Sequence, residues 1–261
     1  MTVTTPSISQ NGRFEPFELQ VARGQIFGHR TVKVFGYNPD IDQTRVTVWP
    51  YTGIIPIPQT PIQYKVSSSS ANDTAAGTGA RSVYISGLDA NHAEISETVT
   101  LNGQTAVLTA QYFLHINDAY VATAGSSLGA EGDIYFGDGT VTSGVPATVY
   151  DLIKLDYNQR ITGSYTIPVG YTGYITQGQF SSGQDVGSTS VTGRLLVVGL
   201  DGIRRAAAVV TVNNGVASYN FHYPIAVQEM NTIEAAAQGS ANNNNASCMF
   251  SIVLIKNNGE L

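Results

Sequence analysis

Apolar and polar residues alternate with a period of two through most of this chain, the pattern of strands that bury one face. The clearest example lies in residues 66–103. Ser82–Ser86 puts Val83 and Ile85 on one face, and Gly87-Leu-Asp-Ala-Asn91 is turn chemistry. Glu94–Leu101 reads as the next strand, with Ile95, Val99 and Leu101 on one face and Glu97 interrupting it. Asn102-Gly103 is a strong hairpin signal, because both turn residues tolerate φ > 0. It predicts that Gln104–Thr109 folds straight back, with Gln104 opposite Leu101 and Ala106 opposite Val99. The same grammar returns 112 residues later: Gly-Leu-Asp at 87 recurs at 199, and Asn-Gly at 102 recurs at 214. This fits two related β modules, and it also fits any two long hairpins that use Gly, Asp and Asn as turn residues.

Elsewhere the pattern predicts strands at Thr31–Phe35 and Arg45–Trp49, with a turn at Gly36–Asp40 between them. Prolines 50, 56, 58 and 61 make the following segment extended and bar it from a central strand. Further strands are expected at Tyr112–Ile116, Ala119–Ala122 and Gly132–Gly137. In the second half they are expected at Ser164–Pro168 and about 174–180, 191–198, 206–212 and 216–223. Leu152, Ile153 and Leu155 fit a helical turn or a strand. Ile225–Gln238 is the one plausible helix: Ala235–Ala237 favours it, while Pro224 and Thr232-Ile233 fit a strand equally well. Met249–Lys256 reads as a buried closing strand. The predicted class is all-β: two β-sandwich or jelly-roll-like modules in tandem, 31–150 and 151–261, behind an extended N-terminal arm over 1–30.

Composition changes what such a fold is expected to do. Only 12% of the 261 residues are charged, against roughly 25% in ordinary soluble domains. Ser, Thr, Asn and Gln carry the polar load instead. That surface suits a protein that works outside the crowded cytosol or packed against copies of itself. The net charge of −6, with no run of Lys or Arg, argues against direct nucleic-acid binding. The first residues lack the charged and apolar regions of a signal peptide, and no apolar run approaches a membrane span, so synthesis in a cytosol without membrane insertion is expected. The single cysteine, Cys248, lies in an apolar run and reads as a small buried hydrophobe.

The residues offer little reaction chemistry. His29, His92, His115 and His222 are far apart in sequence, so no metal site is expected. No G-x-S-x-G elbow is present. Gly77-Thr-Gly-Ala-Arg81 lacks the Gly-Lys-Ser/Thr ending of a phosphate loop. Asn38, Asp40 and Asp42 alternate like the start of a calcium loop but lack its Gly and closing Glu, which favours an Asx-turn. Glu94 and Glu97 fall on opposite strand faces, and Asp133 and Asp138 flank a strand, so neither makes a convincing glycosidase pair. Trp49, Tyr51, Tyr171 and Tyr174 are candidates for a sugar-binding face or for ordinary sandwich aromatics. No catalytic residue, metal ligand or cofactor is therefore expected. The apolar-dotted arm supplies Phe14, Phe17, Leu19 and Val21 as a candidate interface, joined by Trp49 and Tyr51.

Three stretches carry a resemblance. They are Arg23–Asp42 followed by Val48-Trp49; Ser70–Arg81 with Gly87–Asn91 and Glu94–Gly103; and Tyr165–Tyr174. In these the chain resembles virion structural proteins of tailed bacteriophages, especially marine and freshwater phages. The resemblance spans most of the chain and implies a virion component without catalytic residues. It implies foremost a capsid decoration, or cement, protein on the outer capsid surface. Such a protein would be a homo-oligomer, expected as a trimer, that grips the major capsid protein. A tail, connector or fibre component that binds a host glycan is the alternative it leaves open.

Overall fold

The structure, a computed structural model, describes residues 15–184 and 189–257. After one short helix, α1 (Phe17–Ala22), every element is a strand. In chain order these are β1 (His29–Ile41), β2 (Val46–Thr47), β3 (Lys65–Ser68), β4 (Ala80–Leu88), β5 (Glu94–Thr100) and β6 (Val107–Leu108). There follow β7 (His115–Ala124), β8 (Ile134–Thr142), β9 (Val145–Ile153), β10 (Ser164–Thr166) and β11 (Tyr171–Gln184). The last five are β12 (Val191–Val198), β13 (Arg204–Val212), β14 (Gly215–Val227), β15 (Thr232–Gly239) and β16 (Asn244–Lys256).

The pairing defines a jelly roll with a second β domain set inside one of its strands. One sheet runs β1-β16-β11-β14 and the facing sheet runs β10-β15-β12-β13. First therefore pairs with last, and so on inward: β1 with β16, β10 with β15, β11 with β14 and β12 with β13. That is one long antiparallel hairpin rolled into two sheets. The second strand of the roll is split. β2 pairs with Ala236 and Ala237 of β15, and β10 continues along the same strand at Thr232–Glu234. At the break, Val48 N donates to Ala235 O, Ala235 N donates to Gly163 O, and Gly163 N donates to Val48 O. The chain leaves at Val48 and returns at Gly163, and the intervening residues form the inserted domain.

The inserted domain repeats the scheme in part. Its sheets run β6-β3-β8-β9 and β5-β4-β7. Strands β3 to β8 occupy the places that β11 to β16 hold in the roll. The place of β1 is filled from behind by β9, which follows β8 through a tight turn. The 112-residue repeat in sequence therefore has a structural counterpart. In both copies the Gly-Leu-Asp segment turns a hairpin, β4 to β5 and β12 to β13. In both copies Asn-Gly carries the chain from one sheet to the other, with Gly103 at φ 60° and Asn214 at φ 48°.

Each unit has its own apolar core. The roll packs Val34, Ile167, Ile175, Phe250, Ile252 and Leu254 between its sheets. The inserted domain packs Val66, Val83, Ile85, Phe113, Ile134 and Phe136. A smaller cluster of Trp49, Ile55, Tyr135, Val149 and Leu152 lies beside the point where the chain leaves the roll.

Several sequence expectations need correction. The modules are nested rather than consecutive, since β1 pairs with β16 at the other end of the chain and not with the strands of 62–153. Gly36–Asp40 does not turn: β1 continues through it and absorbs Pro39 in an irregularity between Asn38 and Ile41, where no ladder N–H is required. Residues 104–109 do not pair with β5. Instead Val83 faces Val99, and Val107 crosses over to Val66. The Asn-Gly turn is tied elsewhere, with Gly103 N donating to Asp73 O and Gly103 O accepting from Ser68 N. Leu152 and Ile153 belong to β9. Ile225–Gln238 contains no helix. Ala235–Ala237 lie in β15, paired on both sides and covered on both faces, where small side chains matter more than helix propensity. The arm is not extended over its described part: α1 lies against β1 of its own chain, with Val21 2% exposed.

Candidate functional site

The nested domain is fastened to the roll by buried polar groups. Asp151, on β9, receives a short hydrogen bond from Arg160 Nε and a second from Thr162 Oγ1 at 2.6 Å. Arg160 also donates to the carbonyls of Asn117, Thr162 and Ser164 and to Ser164 Oγ. Asn117, on β7, completes the joint by donating to Thr166 O and accepting from Thr166 N on β10. Every arm of this guanidinium is occupied, so the pair has no free group with which to act on a substrate. A second tie runs outside, where Arg30 of β1 bonds Glu94 of β5 at 2.7 Å and stacks over the Tyr171 ring. In the roll, buried Glu234 accepts from Arg204 and from Thr47 Oγ1. These carboxylates are structural.

His92 and His115 stack at 5.5 Å between ring centroids where the inserted domain meets the roll. They line a crevice of about 690 Å³ together with Pro56, Leu200, Arg204 and Met230. Burial lowers the pKa of both, and that of His115 falls to about 4, helped by its neighbour His92. At neutral pH both rings are uncharged, and among the described residues no group of three potential ligands surrounds them or any other point. Cys248 is buried, and desolvation pushes its thiol up to about 12, as suits an inert core residue. Asn38 donates to the carbonyls of Thr47 and Tyr51 and accepts from Asp40 N, so the calcium-like alternation is an Asx-turn with a buried Asn.

The proposed interface residues do not form one surface. Phe14 lies outside the described residues. Phe17 and Leu19 are 46% and 47% exposed on α1. Val21 is buried, and Trp49 is 1% exposed, its ring edge-on to Tyr51, which in turn meets Tyr135 edge-on. Trp49 is therefore core and cannot meet a partner. It looked surface-like because it closes a short strand before Pro50, and nothing local signalled the domain that covers it.

What sequence reasoning missed is the open edge of the roll. Among the described residues β13 pairs only with β12, and β14 only with β11, so both are edge strands there, joined by the turn at Asn214. From Ala206 to Val227 there is no Asp, Glu, Lys or Arg. Val209, Val216, Tyr219 and Tyr223 are exposed along it. Between the two strands an apolar cavity of about 270 Å³ reaches in to Phe180, Leu195 and Phe250. The 22-residue uncharged run was visible in the sequence, but that it forms two unpaired edges was not.

No family model matches the chain, and no curated protein matches it. Among solved structures, the infectious bursal disease virus VP2 subviral particle is similar at 8% identity, with a TM-score of 0.25 over 89% of this chain and 73% of that one. The Gx strain of the same virus gives 13% identity, the same coverages and a TM-score of 0.25. An Arthrobacter globiformis isomalto-dextranase complexed with panose gives 11% identity and a TM-score of 0.25, over 87% of this chain and 35% of that one. Likenesses at this level assign neither fold nor function.

Proposed function

We propose that this chain is a non-enzymatic virion structural protein that works as a homo-oligomer, as a decoration protein on the outer surface of a phage head. The observation that carries the reading is the β13–β14 edge, uncharged from Ala206 to Val227. Soluble β proteins blunt their edges with charge, bulges or very short strands, because unpaired N–H and C=O groups otherwise recruit further chains. Here Pro224, a shift opposite Ile175–Gln177 and a one-residue bulge at Ala207 interrupt the two strands, and no charge lies between Ala206 and Val227. Such an edge is stable in solution when copies of the chain cover it. Low overall charge and carboxylates committed to structural bonds support the same reading. A trimer, held through this edge and seated on the major capsid protein by Phe17 and Leu19 of α1, is the arrangement we favour.

The test is the copy number of the chain in purified virions, by quantitative mass spectrometry against the major capsid protein. A simple large fraction of the capsid copy number is expected. A handful of copies would overturn the decoration role and move the chain to the tail or connector. Its absence from virions would overturn the virion reading altogether.

A further inference from the structure

A cavity of about 430 Å³ lies on the outer face of the β1-β16-β11 sheet, opposite the apolar core of the roll. Strand register builds its floor in two transverse rows. Phe35, Met249 and Gln179 are paired across β1, β16 and β11, and Tyr37, Ser247 and Ser181 form the next row. All six are at odd positions, so they share one face of the sheet. The wall comes from the inserted domain, where Tyr157, Gln159 and Ile161 line the same cavity. Tyr37 N donates to Ile161 O at 3.1 Å, fixing wall to floor. The Tyr37 and Tyr157 rings meet at 6.3 Å between centroids with 35° between their planes.

The chemistry of this lining is selective. It holds three aromatic rings, two of them phenols, with two side-chain amides and two serine hydroxyls, and among the described residues no charged side chain. Ser181 and Ser247 hydrogen-bond each other at 2.5 Å. The side-chain amides of Gln159 and Gln179 make no hydrogen bond among the described residues, so each brings free donors and an acceptor to the cavity. A ligand that satisfies amides and hydroxyls along its rim and lies with a C–H face on an aromatic ring is a neutral sugar. An anionic ligand would find no cation in the lining, and an aliphatic one would leave the amides unpaired. The cavity volume falls in the usual range for small-ligand sites.

We propose that this cavity binds a neutral oligosaccharide, with Tyr157 and Tyr37 as stacking platforms and Gln159 and Gln179 as hydrogen-bonding partners. None of its lining residues belongs to β13, β14 or α1, so glycan binding and assembly are read by different substitutions.

The test uses the full chain on an array of neutral and acidic oligosaccharides, followed by calorimetry with the tightest-binding neutral one. Binding to neutral glycans is expected. Tyr157→Ala and Gln179→Ala should each weaken it by about tenfold, the cost of one stacking or hydrogen-bonding contact. Tyr157 is an exposed loop residue, and circular dichroism would show that its variant stays folded. No binding to any neutral glycan would overturn the proposal. So would binding confined to sialylated or sulfated glycans, or neutral-glycan binding that Tyr157→Ala leaves unchanged.

Discussion

The roll and the domain nested in it share a strand order but end their sheets differently. β5 and β6 of the inserted domain hold the places of β13 and β14. β6 has two residues, and β5 carries Glu94 and Glu97. Glu94 is paired with Arg30, and Glu97 accepts from the backbone N–H groups of Ala110 and Gln111. The equivalent strands of the roll have nine and thirteen residues, and their only charges are Arg204 and Arg205 at one end. The same topology is terminated in one domain and left open in the other. In the assembly proposed above, the edge chemistry, rather than the fold, separates the domain that stands alone from the one that associates.

The joint between the two domains is the place to break this comparison most severely. Arg160→Ala leaves the Asp151 carboxylate buried without its cation, and unfolding in urea should show a loss of about 3–5 kcal/mol. A double variant, Asp151→Leu with Arg160→Leu, should lose less than either single change to alanine. Additive losses would show that the pair does not act as a unit.

Acid should act on the same boundary. Burial depresses the pKa of His115 to about 4, below its unfolded value near 6.5, so the unfolded chain binds more protons between these pH values. This contribution is fully present above pH 6.5 and is lost as pH falls toward 4, by at most about 3 kcal/mol. His115→Gln should flatten that limb of the stability curve, and an unchanged slope would exclude His115 as its source.

Asp73→Ala probes the inserted domain by itself. The Asp73 side chain accepts from Ala80 N, Glu131 N and Ser68 Oγ, and it is fully buried. A loss of about 2 kcal/mol is expected, with amide exchange accelerated in β3 and β4 while β11 and β16 stay protected. Equal acceleration in both domains would mean that they open together.

The smallest effect on stability should have the largest effect on assembly. Val209→Lys with Val216→Lys changes two exposed edge positions, so stability should move by no more than about 0.5 kcal/mol. Light scattering after size exclusion should nevertheless show the chain become monomeric. Thr98→Lys on β5, the matching edge of the inserted domain, should leave the mass unchanged. If both substitutions or neither dissociate the protein, the contrast between the two edges fails.

Period-two alternation, turn residues and the repeat of Gly-Leu-Asp and Asn-Gly made the all-β class and most strand positions legible, because each is set within a few residues by backbone sterics and one-sided burial. The strands at 191–198, 206–212 and 216–223 and the inert Cys248 belong to this class of information. What pairs with what was not legible. Whether Asn-Gly closes a hairpin or crosses between sheets depends on Asp73 and Ser68, which lie about thirty residues before the turn. The domain boundary failed for the same reason: β2 and β10 are one strand of the roll, interrupted by more than a hundred residues. The same remoteness hid the burial of Trp49, the strand at Ala235–Ala237 and the cavity lined by Tyr37 and Tyr157. Local chemistry fixes which residues extend and where they turn, but partners and exposure come from burial and hydrogen bonding summed over the whole chain, which only the folded chain brings together.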